Sequence, residues 1–149
     1  MVDPVEPIVV SHTSKKLTDS SNRIVQKMLA EASRDGSDTA ELQHLLLGLG
    51  LWLHELGKPI YSDLFGELSL ADLRKRLPPS KEKGTVQATK TSAKVDKVFT
   101  KANELANGSD VSGQHLLLAF FELYVEEEPI KILRLAITPQ KIKEEFEMN

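Results

Sequence analysis

The histidines are the residues of this 149-residue chain best suited to acid–base or metal chemistry, and two of the four share one setting. Gln43-His44-Leu45-Leu46-Leu47 returns unchanged as Gln114-His115-Leu116-Leu117-Leu118, 71 residues further on (114 − 43). A neutral imidazole can ligate a metal or carry a proton. Here each ring sits at the entrance of an apolar stretch, and its partner is its own repeat rather than an active-site group. A duplicated position argues for a duplicated structural role, so His44 and His115 are read as hydrogen-bonded structural residues. His54-Glu55 lacks the second histidine of a His-Glu-x-x-His zinc helix. Gly48-Leu49-Gly50 resembles the opening of a dinucleotide loop but lies inside a helical pattern, not after a strand. Glu126-Glu127-Glu128 reads as a solvated run before Pro129, at a helix start where negative charge is favoured.

Other chemistry is excluded by what the chain lacks. It has no cysteine, hence no thiolate zinc site, cysteine nucleophile or disulfide. It has no Gly-x-x-x-x-Gly-Lys-Ser/Thr phosphate loop, hence no ATPase module of that type. The expectation is a non-enzyme with no catalytic residue, no metal and no cofactor. Net charge is −3, against a general nucleic-acid surface. The longest apolar run, Leu45 to Leu53, is far short of the roughly 20 residues a bilayer requires. No membrane association is expected, and a cytoplasmic or organelle-stromal setting is.

The elements that would hold these residues follow from the repetition. Pro59-Ile60 returns as Pro129-Ile130, and Leu68-Ser69, Leu73-Arg74 and Leu77 return as Ile137-Thr138, Ile142-Lys143 and Phe146. Three blocks in one order, with a slightly drifting offset, indicate duplication. In the first copy, Thr18 or Asp19 caps a helix whose Ile24, Val25, Met28 and Ala32 share a face. Gly36 ends it. Asp38 with Glu41 offers a capping box for an almost wholly apolar helix through Leu45 to Leu56. Gly57 and Pro59 break that helix, a short one carries Ile60, Leu64 and Phe65, and Ser69 caps the last, through Leu73 to Leu77.

The second copy repeats the plan. Val95, Val98, Phe99, Ala102 and Leu105 form a stripe ended by Asn107-Gly108, and Ser112 caps the helix from His115 to Phe121. Pro129 opens a short helix with Ile132 and Leu133, and Thr138-Pro139 starts the last. Trp52 reads as core. The prediction is an all-α fold of eight helices in two pseudo-twofold four-helix repeats. Residues 1–16 form a flexible arm, 17–77 the first repeat, 78–89 a linker and 90–147 the second repeat, with 17–149 as one domain.

This pattern resembles the Clp N-terminal repeat, the N-domain of Clp-type AAA+ unfoldases. The residues that carry the likeness are His44-Leu45-Leu46-Leu47-Gly48-Leu49, His115-Leu116-Leu117-Leu118-Ala119-Phe120, Leu68-Ser69-Leu70-Ala71-Asp72-Leu73-Arg74 and Ile137-Thr138-Pro139-Gln140-Lys141-Ile142-Lys143. The resemblance implies a protein-binding module that receives substrate or adaptor polypeptides for an ATP-driven unfoldase. Its alternative is a stand-alone accessory subunit that docks on a Clp protease ring and stabilises it. Met1 and the N-terminal arm favour a separate gene product over an excised fragment. In some relatives acidic residues before the histidine recognise phosphorylated arginine; this chain has Gln43 and Gln114 there, which removes a charge-assisted bond. The expected guest site gathers around Gln43 and Gln114, with Asp38 and Ser112 holding the helix starts, and its recognition leans on neutral hydrogen bonds and apolar contact.

Overall fold

The structure is a computed structural model that describes residues 17–57, 69–76, 88–124, 126–127, 130 and 138–148. The chain is mostly helical, with six helices among the described residues. The expected short helices at Ile60–Phe65 and Ile132–Leu133, the N-terminal arm and linker residues 78–87 fall outside them.

Helix α1 (Asp19–Arg34) starts where Thr18 Oγ1 accepts from the Ser21 N–H. This satisfies one of the donors that a helix start leaves over. Its apolar stripe Ile24, Val25, Met28 and Ala32 is fully buried. The stripe meets α2 (Leu42–Leu56), whose Leu45, Leu46, Leu49 and Leu53 are also fully buried. Each such leucine contributes about 1.5–3 kcal/mol of transfer free energy, enough to make this pair the core of the first half. The helices approach closely at Gly48: a Cβ there would stand 2.9 Å from the Ile24 carbonyl oxygen, too near for any side chain. Gly57, left-handed at φ 66°, ends α2. Helix α3 (Leu70–Arg76) opens on a reciprocal box in which the Asp72 N–H donates to Ser69 Oγ and the Ser69 N–H to Asp72 Oδ2.

In the second half, α4 (Ala93–Ala106) is capped by Ser92 and ended by left-handed Asn107. Its Val95, Val98, Phe99 and Ala102 pack against α5 (Gly113–Tyr124). Helix α6 (Pro139–Glu145) has Thr138 as its cap and proline in its first turn. It buries Ile142 and brings Phe146 to stack on Trp52 at 5.8 Å between ring centroids. Trp52 therefore is core, and it joins the two halves.

Two findings depart from the sequence reading. Short parallel strands β1 (Thr39–Ala40) and β2 (Lys90–Thr91) pair Thr39 with Lys90 and Ala40 with Thr91. A further parallel bridge joins Leu17 to Val111. Each is too short to leave an alternating pattern in the sequence. Second, Ala88 is buried and donates its N–H to Ser33 Oγ at 2.8 Å, so the end of the expected linker is docked on α1.

Candidate functional site at the helix starts

The two apolar helices begin with the same device. At α2 the capping residue is Glu41. The His44 ring Nδ1 accepts the Glu41 N–H at 2.9 Å, and the Glu41 side chain reaches back to the His44 N–H. A nitrogen that accepts cannot carry the proton, so the proton lies on Nε2, which donates to Asp35 Oδ2 at 2.9 Å. His44, 2% exposed, thus ties the end of α1 to the start of α2. The expected role of Asp38 as a cap is corrected. It lies three residues before Glu41, where its carbonyl oxygen accepts from the Thr89 and Lys90 N–H groups at 3.1 Å. Its carboxylate accepts from Thr39 Oγ1 and stands 3.6 Å from Lys90 Nζ. The reason is the β1–β2 pairing, which holds Asp38 in the crossing between halves.

At α5, Ser112 takes the place of Glu41. Its N–H donates to His115 Nδ1 at 3.0 Å, and its carbonyl accepts from the His115 and Leu116 N–H groups. Its hydroxyl is 2.9 Å from the same Nδ1. His115 is half-buried, and burial pushes its imidazole below the ordinary histidine range. The start of α5 is also held from α1. Ser20 Oγ accepts the Gly113 N–H at 2.8 Å. Ser21, fully buried, donates to the Val111 carbonyl at 2.6 Å, and the Thr18 N–H donates to that same oxygen at 2.9 Å. Beneath, the Trp52 ring leaves no room for a side chain at Gly113, where a Cβ would come within 2.6 Å of it.

The sequence-predicted residues are thereby separated by exposure. Gln43 is buried, 6% exposed, whereas Gln114 is partly exposed. Helix starts bind anions when several backbone N–H groups are unspent. At α5 the Ser112, Gly113, His115 and Leu116 N–H groups are all engaged, and the Gln114 N–H is the one left without a partner among the described residues. At α2 the carboxylate of Glu41 stands at the helix start. Neither junction is a ready anion cradle. Sequence reading missed Ser20, Ser21 and Asp35. The signal for Asp35 was present: Asp35-Gly36-Ser37-Asp38 recurs as Asn107-Gly108-Ser109-Asp110. Among the described residues no group of three or more His, Asp or Glu could hold a metal ion. Among the same residues, no helix is long and apolar enough to cross a membrane.

Residues 16–131 match the family model for the Clp repeat (R) N-terminal domain. No curated protein matches the chain. The match spans well over half of the sequence, so the chain belongs to the Clp repeat N-terminal domain family, a family of non-catalytic protein-interaction modules.

Proposed function

We propose that this family member is itself non-catalytic and receives substrate or adaptor polypeptides for a Clp-type unfoldase, in the cytoplasm or an organelle stroma. Its guest surface lies at the α5 start around Gln114. The observation that carries this reading is the exposure difference between the two glutamines. Gln114 offers a neutral amide and one unspent backbone donor beside a half-buried histidine, while Gln43 is enclosed. Neutral groups of this kind suit main-chain amides of an extended guest better than a charged modification. Ser112, His44 and His115 then serve the surface by fixing the two helix starts.

The reading includes two four-helix repeats related by a pseudo-twofold axis. What supports it is a pair of matching crossed bonds. The Thr18 N–H donates to the Val111 carbonyl and the Ser92 N–H to the Ala40 carbonyl, both at 2.9 Å. Each runs from the cap of one half's first helix to the residue before the cap of the other half's apolar helix.

The test is a titration of isotopically labelled protein with a permanently unfolded polypeptide, together with a pull-down against unfoldase and peptidase components. Backbone resonances of Gln114 and His115 should shift saturably while those of Gln43 stay in place. Gln114→Ala should weaken binding at least fivefold without lowering the melting temperature by more than a few degrees. Shifts clustered elsewhere would remove the surface. Stoichiometric capture by the peptidase ring alone would replace the function with that of an accessory subunit.

A further inference from the structure

We propose that Ser20 is a specificity-determining residue: its hydroxyl spends the first amide donor of α5 and so withholds that helix start from anionic ligands. The proposal rests on the guest surface being at Gln114, and it adds what that surface rejects.

The geometry is particular to one junction. Ser20 lies in the first turn of α1, yet its oxygen accepts the N–H of Gly113, the first residue of α5, at 2.8 Å. Thr18 Oγ1 lies 3.0 Å from the same oxygen and holds it in place. Ser21 and the Thr18 N–H grip the Val111 carbonyl, which fixes the start of α1 against the residue two positions before Gly113. At the opposite crossing, the positions that follow the Ser92 cap by two and three residues are Lys94 and Val95, where Thr18 is followed by Ser20 and Ser21. No side-chain hydroxyl can reach α2 from there.

The consequence is a matter of counting donors. An anion at a helix start is held by converging N–H groups and the positive end of the helix dipole. With Gly113 satisfied by Ser20 and His115 by Ser112, the Gln114 N–H is the one donor without a partner among the described residues. One neutral donor serves a carbonyl oxygen well and a phosphate or carboxylate poorly. Removing the Ser20 hydroxyl frees the Gly113 N–H beside the Gln114 N–H, and two adjacent amides make the minimum of an anion nest. Ser20 thus keeps the surface selective for uncharged main-chain groups.

Inorganic phosphate is the probe, read at the Gly113 and Gln114 amides by heteronuclear NMR. In the unmodified protein, tens of millimolar phosphate should leave both amides nearly unmoved relative to matched chloride. In Ser20→Ala, both should shift saturably, by at least threefold more than in the unmodified chain. Ser20→Thr, which keeps the hydroxyl, should behave like the parent. This rescue separates withholding of a donor from a merely structural loss, which would not depend on phosphate. Equal responses in parent and Ser20→Ala would overturn the proposal. If Ser20→Ala does not fold, the parent decides alone: a Gly113 amide exchanging as fast as an exposed one overturns it, and a protected one supports it. The unfolded-polypeptide titration is read separately. If that polypeptide leaves Gln114 unmoved, the guest surface fails whatever phosphate does.

Discussion

The two halves use the same pentapeptide to opposite degrees of closure. In the first, both ring nitrogens of His44 are engaged and the residue is sealed. In the second, the ring contacts of His115 both fall on Nδ1, and the residue is half-buried. The difference comes from a position outside the repeat motif. Asp35 takes a right-handed conformation after α1 and offers its carboxylate to His44, whereas Asn107 takes a left-handed one at the corresponding helix end. A second contrast runs the same way. Glu31 in α1, 7% exposed, is held by Arg74 of α3 through two bonds of 3.0 and 2.6 Å. The residue 72 positions on from Glu31 (103 − 31) is Asn103, whose Oδ1 is buried without a partner among the described residues. Among the described residues, the first half leaves no buried side-chain polar atom without a partner, and the second leaves Asn103 Oδ1.

The comparison is broken most severely at the ion pair. Arg74→Met removes the guanidinium and leaves the Glu31 carboxylate enclosed. Losing one partner of a fully buried pair costs about 3–5 kcal/mol; Arg74 is a third exposed, so solvent screening reduces the expected loss to about 2–3 kcal/mol. Denaturant unfolding at neutral pH measures it. A change below about 0.5 kcal/mol would mean that the first half owes nothing to this closure.

The histidines give the next largest effect. His44→Ala leaves the Glu41 N–H and the Asp35 carboxylate without their shared partner, and because that carboxylate is partly exposed the cost is about 1–2 kcal/mol. His115→Ala frees only the Ser112 end, where water can enter, and should cost about 1 kcal/mol or less. Equal losses would show that the two junctions are energetically alike in spite of their geometry.

Asn103→Leu sharpens the contrast from the other side. Replacing an amide whose oxygen is buried and unpaired with an apolar group of similar size should stabilise the chain by about 1 kcal/mol. The same exchange at Glu31 should destabilise it, because Arg74 would then lose its partner. Melting temperatures of the two variants, moving in opposite directions, are the expected outcome.

Much of this was legible in the sequence. The stripes of α1 and α4, the caps Thr18, Ser69 and Thr138 and the stops Gly57 and Asn107 are local matters of period and turn chemistry, which neighbouring residues encode. The crossing contacts are not local. Asp38 resembles a cap because Glu41 follows it, yet a strand partner 52 residues away (90 − 38) decides its role. Ser20 reads as an ordinary first-turn serine, since nothing near it announces Gly113, 93 residues on. Burial separated Gln43 from Gln114, and identical pentapeptides cannot show that difference. What distinguishes them lies in Asp35, Glu41 and the serines of α1, which lie outside the two pentapeptides.

The smallest expected effect concerns acid. His115 accepts from the Ser112 N–H at Nδ1, and a protonated ring would set two hydrogens against each other there. Burial already holds its imidazole below the ordinary histidine range. The unfolded chain therefore binds this proton at a higher pH than the folded chain does. Between the ordinary histidine value, about 6.5, and the lower folded value, the unfolded state carries more protons, so stability rises with pH. The contribution is fully present above about pH 7 and is lost as pH falls through that window. Half-exposure keeps it small. The check is a pair of melting curves at pH 7.5 and 5.5 for the parent and for His115→Gln, whose side-chain amide does not titrate. The parent should lose more melting temperature on acidification than the variant. If the two lose the same amount, the open junction of the second half is insensitive to its histidine's charge, and the loose ring at α5 is a spacer rather than a proton-sensitive cap.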